Sequence, residues 1–430
     1  MTGIILCINY FTKYNICSII VNQFIQGKKM IEIFHHQKPI ASFIKDNRSF
    51  IIDYKNFDIQ NSIALSLPNT QKIYLYDYKF PPFLESFLPE GYLYEIFKNI
   101  LSKEYGRVDD YLIFSLLSSN IQSRIEFQSD LQNSVEFPKF DIDEILVNDT
   151  NDTFNNLLQT FLNKNAISGV QPKTIALLND KEKLDTKEYI IKTWGDEYQD
   201  LALNEYFCLK AVQKSGVKTA NVKLSNNNKF LIVEKFTLKS DGSFYGFEEI
   251  LSLMDKNKDS KYDGSYEQIA KIIYSYTSNK KESMIAFYKT VVMNYLLKNG
   301  DAHLKNFGLL YEDDFKNIFY SPVYDVVNTV VYIHKDKPAL MLDGKKIWHS
   351  KDTLIKFGQK SCLLSLSEAK KCYQECYDAL VWAIDELKNY LVEHPDFKIG
   401  KMMLDSWKLS MKEKSIKELD DDTIRTWKNY

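Results

Sequence analysis

Asn299-Gly300-Asp301-Ala302-His303-Leu304-Lys305-Asn306 is the most informative stretch of the chain. It follows a long apolar helical pattern, Met284–Lys298, and precedes two short apolar runs, Phe307–Leu310 and Ile318–Tyr320, that read as a hairpin. Asp301 and Asn306 stand five apart in a tight polar loop. Asp325 follows nineteen residues later, behind Ser321-Pro322-Val323-Tyr324. One carboxylate to accept a hydroxyl proton, and two hard oxygen donors to hold Mg2+ against phosphates, are what phosphoryl transfer asks of a chain. On this reading Asp301 is the base, and Asn306 and Asp325 are the metal ligands. On spacing alone, an Asp- and Asn-rich surface loop is the plain alternative.

Working back from this loop, the order of parts is that of protein-kinase-like phosphotransferases. Such a site needs a cation on the nucleotide phosphates, and Ile190-Ile191-Lys192 offers a lysine in an apolar strand, where it requires an anionic partner. Glu205, on the following helix Leu201–Ser215, is the candidate. A snorkelling edge-strand lysine is the simpler account of Lys192 alone. Leu231-Ile-Val-Glu-Lys-Phe236 ends a strand just before the helical half, where a hinge would offer backbone groups to an adenine beside Glu234 and Phe236. One strand before Lys192, Ala166-Ile-Ser-Gly-Val-Gln-Pro-Lys173 is the candidate phosphate loop. Its single glycine matches neither glycine-rich phosphate motif, but Ser168, Gly169 and Lys173 could meet phosphate oxygens.

The rest of the chain bounds this reading. Its 430 residues carry 55 Lys+Arg against 57 Asp+Glu, with 45% hydrophobic residues, as in a folded globular protein of two or three domains. The near-neutral charge gives no global field for nucleic acid. No stretch supplies about 20 uninterrupted apolar residues, so no membrane span is expected. Six cysteines, at 7, 17, 208, 362, 372 and 376, have no disulfide or zinc spacing, and a reducing, cytoplasmic compartment fits them. Residues 1–29 lack a signal-peptide pattern and read as an extension. Residues 30–120 read as strands (Ile31–Phe34, Ile40–Ile44, Phe50–Tyr54), then an apolar run Ser62–Leu67, then helices. Residues 121–165 are polar and read as a connection with one weak helix, Phe154–Leu162. Strands return at Thr174–Leu178, Tyr189–Thr193, Val222–Leu224 and Phe230–Phe236, giving a second β-rich unit over 166–236. From 237 to 430 the pattern is mostly helical: Ile269–Tyr276, Met284–Lys298 and Glu368–Val392. Lys401, Lys408, Lys412, Lys414 and Lys417 read as a solvated face, because Glu413, Glu418 and Asp420–Asp422 dilute them.

Six segments in order resemble the HipA family, the serine/threonine kinase toxins of bacterial toxin–antitoxin systems. They are Ser168-Gly-Val-Gln-Pro-Lys-Thr174, Asn204-Glu-Tyr206, Val233-Glu-Lys-Phe236, Lys261-Tyr-Asp-Gly-Ser-Tyr-Glu267, Asp301-Ala-His-Leu-Lys-Asn-Phe307 and Ser321-Pro-Val-Tyr-Asp325. Ala64-Leu-Ser-Leu-Pro68, Phe83-Leu-Glu-Ser-Phe-Leu-Pro-Glu-Gly91 and Leu342-Asp-Gly-Lys-Lys346 are similar to further family segments. The resemblance implies an α+β, two-lobed protein-kinase-like fold with a β-rich amino-terminal subdomain and an all-helical carboxy-terminal lobe. It implies ATP and Mg2+ as cofactors, with Asp301 catalytic and Asn306 and Asp325 on the metal. It puts Ser168, Gly169, Val170, Gln171 and Lys173 in the phosphate loop and Lys192 on the phosphates, supported by Glu205. Glu234, Lys235 and Phe236 become the hinge, with His303, Lys305 and Tyr324 in or beside the nucleotide site.

The implied activity is phosphorylation of a serine, with an aminoacyl-tRNA synthetase as the expected target and translation stopped as the result. The implied partner is a HipB-like helix-turn-helix antitoxin, through which alone the chain would meet DNA. The family carries one or two serines before the loop glycine that become autophosphorylated. Here the outer position is Ala166, so only Ser168 could serve, and a phosphate there would repel ATP. Two other readings keep the fold: a corepressor or binding module with little catalysis, and a small-molecule kinase.

Overall fold

The structure is a computed structural model and describes residues 30–131, 142–148, 150, 152–153, 156, 182–185, 189–193 and 198–412. Three sheets organise it. Strands β1 (Met30–His35), β2 (Lys38–Asp46), β3 (Ser49–Tyr54), β4 (Ile73–Asp77) and β5 (Glu126–Ser129) form an antiparallel sheet in the order β4-β3-β2-β1-β5. The β1–β2 hairpin turns at His36 and Gln37, both with positive φ (48° and 61°), as the right-handed twist of its strands favours. In β1, Ile31, Ile33 and His35 point inward and Met30, Glu32 and Phe34 are half-buried, which is the two-residue period of a sheet with one covered face. Helices α1 (Gly91–Tyr105) and α2 (Asp110–Leu117) accompany this sheet. β5 falls inside the stretch expected as a connection, so the amino-terminal sheet reaches past residue 120.

The second sheet has the order β6-β7-β9-β8, with β6 at Glu182–Asp185, β7 at Tyr189–Thr193, β8 at Val222–Leu224 and β9 at Leu231–Glu234. Its two faces have different fates. Ile191, Phe230 and Ile232 join the apolar core of the amino-terminal subdomain, beside Ile33, Phe43 and Phe114. Ile190, Leu231 and Val233 turn to the other side, against Ala202 of helix α3 (Leu201–Lys214) and Phe236. Burying each large side chain is worth roughly 1.5–3 kcal/mol, so the first two layers share one core rather than merely touching.

The remainder is built on α5 (Lys280–Leu297), which is buried on almost every side. Such a helix belongs in the middle of a bundle. α4 (Tyr266–Tyr276), α6 (Lys351–Lys360), α7 (Leu366–Glu393) and α8 (Lys398–Met411) make up the rest of it. Reciprocal capping boxes, Ser265 with Gln268 and Ser365 with Glu368, start α4 and α7 ahead of their apolar periodicity. The expectation of an all-helical carboxy-terminal lobe is corrected in one respect. A three-stranded sheet of β10 (Gly246–Glu249), β11 (Gly308–Tyr311) and β12 (Ile318–Tyr320) lies within it, and β11–β12 is the hairpin read from sequence. Cys208, Cys362, Cys372 and Cys376 are free and buried. Among the described residues no helix is long and apolar enough to cross a membrane. The expected phosphate loop 166–173, the strand Thr174–Leu178, the helix Phe154–Leu162 apart from Asn156, the extension 1–29 and the lysines Lys414 and Lys417 lie outside the described residues; Lys408 and Lys412 are exposed at the end of α8.

The apolar run Ser62–Leu67 forms an irregular buried segment whose backbone is satisfied by side chains. Ile63 N donates to the Tyr54 hydroxyl at 2.8 Å, and Arg124 donates to the carbonyls of Ser62 and Ile63. The segment also reaches the carboxy-terminal lobe, where Ser66 donates from its backbone (3.1 Å) and from its hydroxyl to Glu248 of β10. Glu248 is 1% exposed, also accepts from the Ser252 hydroxyl at 2.6 Å, and has its carboxyl pushed upward by burial. A second junction sets His35 Nε2 3.0 Å from Arg124 and 3.1 Å from Asp313, with Arg124 stacked 4.8 Å over Phe315. His35, His36 and Asp313 bring three ligand atoms within 4.8 Å of one another. The Arg124 guanidinium already supplies the positive charge there.

Two outcomes follow from these junctions. Glu248→Ala takes the acceptor from the half-buried Ser66 N–H and should cost about 1–3 kcal/mol, measured as a lowered urea midpoint. Burial and Arg124 hold His35 below its ordinary 6.5, so the unfolded chain takes up a proton there before the folded one does. Stability from this site therefore falls as pH drops below 6.5. Burial works against Asp313, but His35 and Arg124 hold its carboxyl below 3.8, so its contribution is lost only at lower pH still. His35→Gln should accordingly lose less stability than the wild type between about pH 7 and 5, by the same urea midpoints.

Candidate active site

Strand alternation aims Lys192. Ile191 enters the shared core, so Lys192, one residue on, faces α3 and the lobe beneath. Its ammonium donates to Glu205 Oε1 at 2.6 Å and to Asp325. Glu205 is 1% exposed, and a carboxylate so buried requires the lysine. The expected Lys192–Glu205 pair is thus formed, and the same ammonium gathers in Asp325 from 133 residues along the chain.

Asp325 is held from both sides. Val323 N donates to the Lys218 carbonyl and Ala220 N to the Val323 carbonyl, each at 2.8 Å. Beyond it, Asn204 on α3 clasps Asn328, accepting from its N–H at 2.9 Å and donating to its carbonyl at 3.0 Å. Between these clasps Asp325 takes a positive φ of 55°, a conformation uncommon outside glycine but open to Asp. Tyr324 adds a third tie, its hydroxyl donating to the Lys305 carbonyl at 2.6 Å. That bond connects the segment of Asp325 to the loop of Asp301.

The loop itself starts where α5 ends in left-handed Lys298. Lys298 is buried, its ammonium 4.8 Å over Trp348, and burial lowers it to about 8. Gly300 follows with no space for a side chain, since a Cβ would lie 2.0 Å from Asp336 Oδ2 and 2.7 Å from Thr329 Oγ1. Asp301 accepts from the Tyr262 hydroxyl at Oδ1, 3.0 Å, and its own N–H donates to Asn299 Oδ1 at 3.2 Å. Asn306 Oδ1 accepts from the His303 N–H at 3.1 Å, closing the loop into one turn. Burial pulls His303 down to about 4 against the charge of Asp301, so its ring is neutral near pH 7. Lys305 is turned to Glu90 of the amino-terminal subdomain and to Glu249 of β10. Burial opposes its charge, but Glu249 and Glu90 hold its ammonium above the ordinary value.

At the hinge, Glu234 ends β9 with its carboxylate accepting from Asn221 Nδ2 at 2.8 Å. The Phe236 ring lies 5.6 Å from Tyr324 and 5.5 Å from Phe247, a trio of aromatic faces beside the end of the sheet. Lys235 lies between Glu234 and Phe236 in that turn. The structure therefore brings together Lys192, Glu205 and Asp325, ties them through Tyr324 and Lys305 to Asp301, His303 and Asn306, and sets Glu234 and Phe236 at the end of β9. Ser168, Gly169, Val170, Gln171 and Lys173 are outside the described residues. Asn306 and Asp325 are hard oxygen donors of the kind Mg2+ takes, and the donor set fits that ion. Sequence reading missed Tyr262, Asn204 as a clasp, Phe247 and Asp336. Only the first two had a signal, because each lies in a segment already singled out.

A β-rich lobe that carries a lysine–glutamate pair, set over a helical lobe with an Asp…Asn…Asp loop, defines a kinase-like protein. The chain belongs to the HipA family: the HipA-like C-terminal domain matches residues 165–384. Among curated proteins, "Putative kinase" of Haemophilus influenzae is 27% identical over 184 residues, 39% of this chain and 53% of that protein. The match thus spans about half of that relative's length. "Putative kinase Y4dM" of Sinorhizobium fredii is 23% identical over 323 residues, 69% of this chain and 74% of that one. Among solved structures, the fold is similar to that of HipA from Shewanella oneidensis MR-1, determined with HipB and operator DNA. The TM-score is 0.64 at 15% identity, covering 91% of this chain and 99% of that one.

The Lys192–Glu205 pair makes a measurable claim. Lys192→Met leaves a buried carboxylate unpaired and should destabilise the protein by about 3–5 kcal/mol. Adding Glu205→Met removes the orphan charge and should recover most of that loss. Urea unfolding of the two variants, a cycle with the wild type and Glu205→Met, reads both effects.

Proposed function

We propose that this chain is an ATP- and Mg2+-dependent protein serine/threonine kinase acting as the toxin of a toxin–antitoxin pair. The observation that carries the reading is the double engagement of Lys192 with Glu205 and Asp325, tied by the Tyr324–Lys305 bond to the loop of Asp301. Family membership and the kinase names of its relatives support it.

In this mechanism Glu205 holds Lys192 in place while the ammonium exchanges Asp325 for phosphate oxygens of the nucleotide. Phe236 and Tyr324 offer apolar surface to the adenine beside the hinge backbone at Glu234, Lys235 and Phe236. Residues 168–173 are the segment we assign to the phosphates. Asn306 and Asp325 would hold Mg2+, which would supply charge neutralisation to the phosphate groups. Asp301 accepts the hydrogen bond of the substrate serine and takes its proton as the serine oxygen bonds to the γ-phosphorus and the bond to ADP breaks. His303, neutral and buried, shapes the loop without adding charge. Most of the acceleration comes from positioning and electrostatics, because phosphoryl transfer needs little covalent help.

The target class we assign is an aminoacyl-tRNA synthetase, whose phosphorylation would stop translation, with Ser168 as the self-modification site. The Shewanella protein was solved with HipB and operator DNA, which supports a HipB-like antitoxin as the partner here and DNA contact through it alone. These assignments place the chain in the cytoplasm.

Asp301→Asn should lower ATP-dependent serine phosphorylation by at least about 100-fold with the ATP KM little changed. Phosphoproteomics after a short pulse of expression, compared with Asp301→Asn, should show a small set of new phosphoserines, the synthetase target and Ser168 among them. Equal phosphorylation by the two proteins would exclude Asp301 as the base.

A further inference from the structure

We propose that Tyr262 is the positioning residue of Asp301, setting the carboxylate's orientation before any substrate arrives. The inference rests on the reading of Asp301 as the base. The Tyr262 hydroxyl donates to Asp301 Oδ1 at 3.0 Å, while its ring meets His303 edge-on at 5.3 Å. A carboxylate base works only when a lone pair faces the incoming hydroxyl, and a side chain free to rotate loses that geometry most of the time. A donor fixed on one oxygen removes the rotation.

Tyr262 can do this because its own backbone is anchored on both sides of the site. The Lys261 carbonyl accepts from Leu304 N at 3.0 Å, inside the loop of Asp301. The Tyr262 carbonyl accepts from Lys346 Nζ at 2.9 Å, and the Gly264 carbonyl from Met341 N at 3.1 Å. Gly264 admits the Leu304 side chain, whose nearest methyl lies 3.0 Å from where a Cβ would be. The segment Lys261–Glu267 is thereby laid along the catalytic loop and fastened to the stretch 341–346, so three separate parts of the chain fix one hydroxyl. Burial and the charges of Asp301, Asp336 and Glu90 push the phenol above its ordinary range. It stays protonated, and hence a donor, across the working pH.

The test uses the full chain and measures ADP production from ATP and Mg2+ with dephosphorylated casein. This counts transfer to casein, to the chain itself and to water alike. Wild type, Asp301→Asn, Tyr262→Phe and Tyr262→Ala are compared. Tyr262→Phe keeps the ring against His303 and removes only the hydroxyl. We expect its kcat to fall about 10- to 50-fold, its KM for ATP to stay within about twofold, and its thermal midpoint to match the wild type. Tyr262→Ala should show the same loss of kcat and a lowered midpoint. A wild-type kcat in Tyr262→Phe overturns the proposal, as does a loss confined to the KM for ATP. Phosphate found on Tyr262 by intact-protein and peptide mass spectrometry also overturns it, since the hydroxyl would then be an acceptor. Wild type indistinguishable from Asp301→Asn is a separate result, which removes the kinase reading and this proposal with it.

Discussion

A carboxylate with almost no access to water, Glu205, forces the arrangement of the site. Left unpaired it would cost several kcal/mol, so the lysine that neutralises it cannot wander. That lysine comes from the middle of a sheet whose alternation admits only one direction for it. Asp325 then joins the same ammonium, and the segment that carries it is stitched to the helix of Glu205 by the Asn204–Asn328 clasp. Charge burial, strand geometry and a buried amide pair all bear on the same few cubic ångströms.

The amino-terminal subdomain participates in that site rather than decorating it. Its Glu90 meets Lys305 in the loop of Asp301, and its Ser66 meets Glu248 on the small sheet that continues into that loop. Thus the loop of Asp301 is bounded by α5 behind it, by Asp336 and Thr329 against Gly300, and by an acidic residue from a distant part of the chain. Each neighbour restricts a different degree of freedom, which is what a geometry-limited reaction such as phosphoryl transfer needs.

What the sequence disclosed, and what it hid, divides along physical lines. α4 and α7 were legible because a helix with one buried face writes its apolar residues at a fixed period; the capping boxes at Ser265 and Ser365, ahead of that period, were passed over. β1, β2 and β3 showed turn residues between apolar runs. β4 did not, since Ile73-Tyr-Leu-Tyr-Asp77 is apolar on both sides and lies at an edge, with Leu75 59% exposed. β5 is short and sits in polar surroundings. Lys192, Glu205, Asp301, Asn306 and Asp325 could be singled out as candidates because chemistry restricts the residue types and the chain order restricts their sequence, and the contacts of Lys192 with Glu205 and Asp325 are observed. Asp336 was hidden, because it acts through contacts between segments apart in the chain, which no local pattern records; Tyr262 stood in a segment already singled out, but its reach to Asp301 is not written there.

The sharing of one apolar interior by two layers has a consequence for how the molecule can be divided. Ile191, Phe230 and Ile232 project from the lysine-bearing sheet into the same oily mass as Phe43 and Phe114. A fragment trimmed to the matched region, 165–384, would present that sheet face bare to water. Those borders therefore mark a unit of inheritance and not a unit of folding. The matched region and the subdomain in front of it are held together by that common interior.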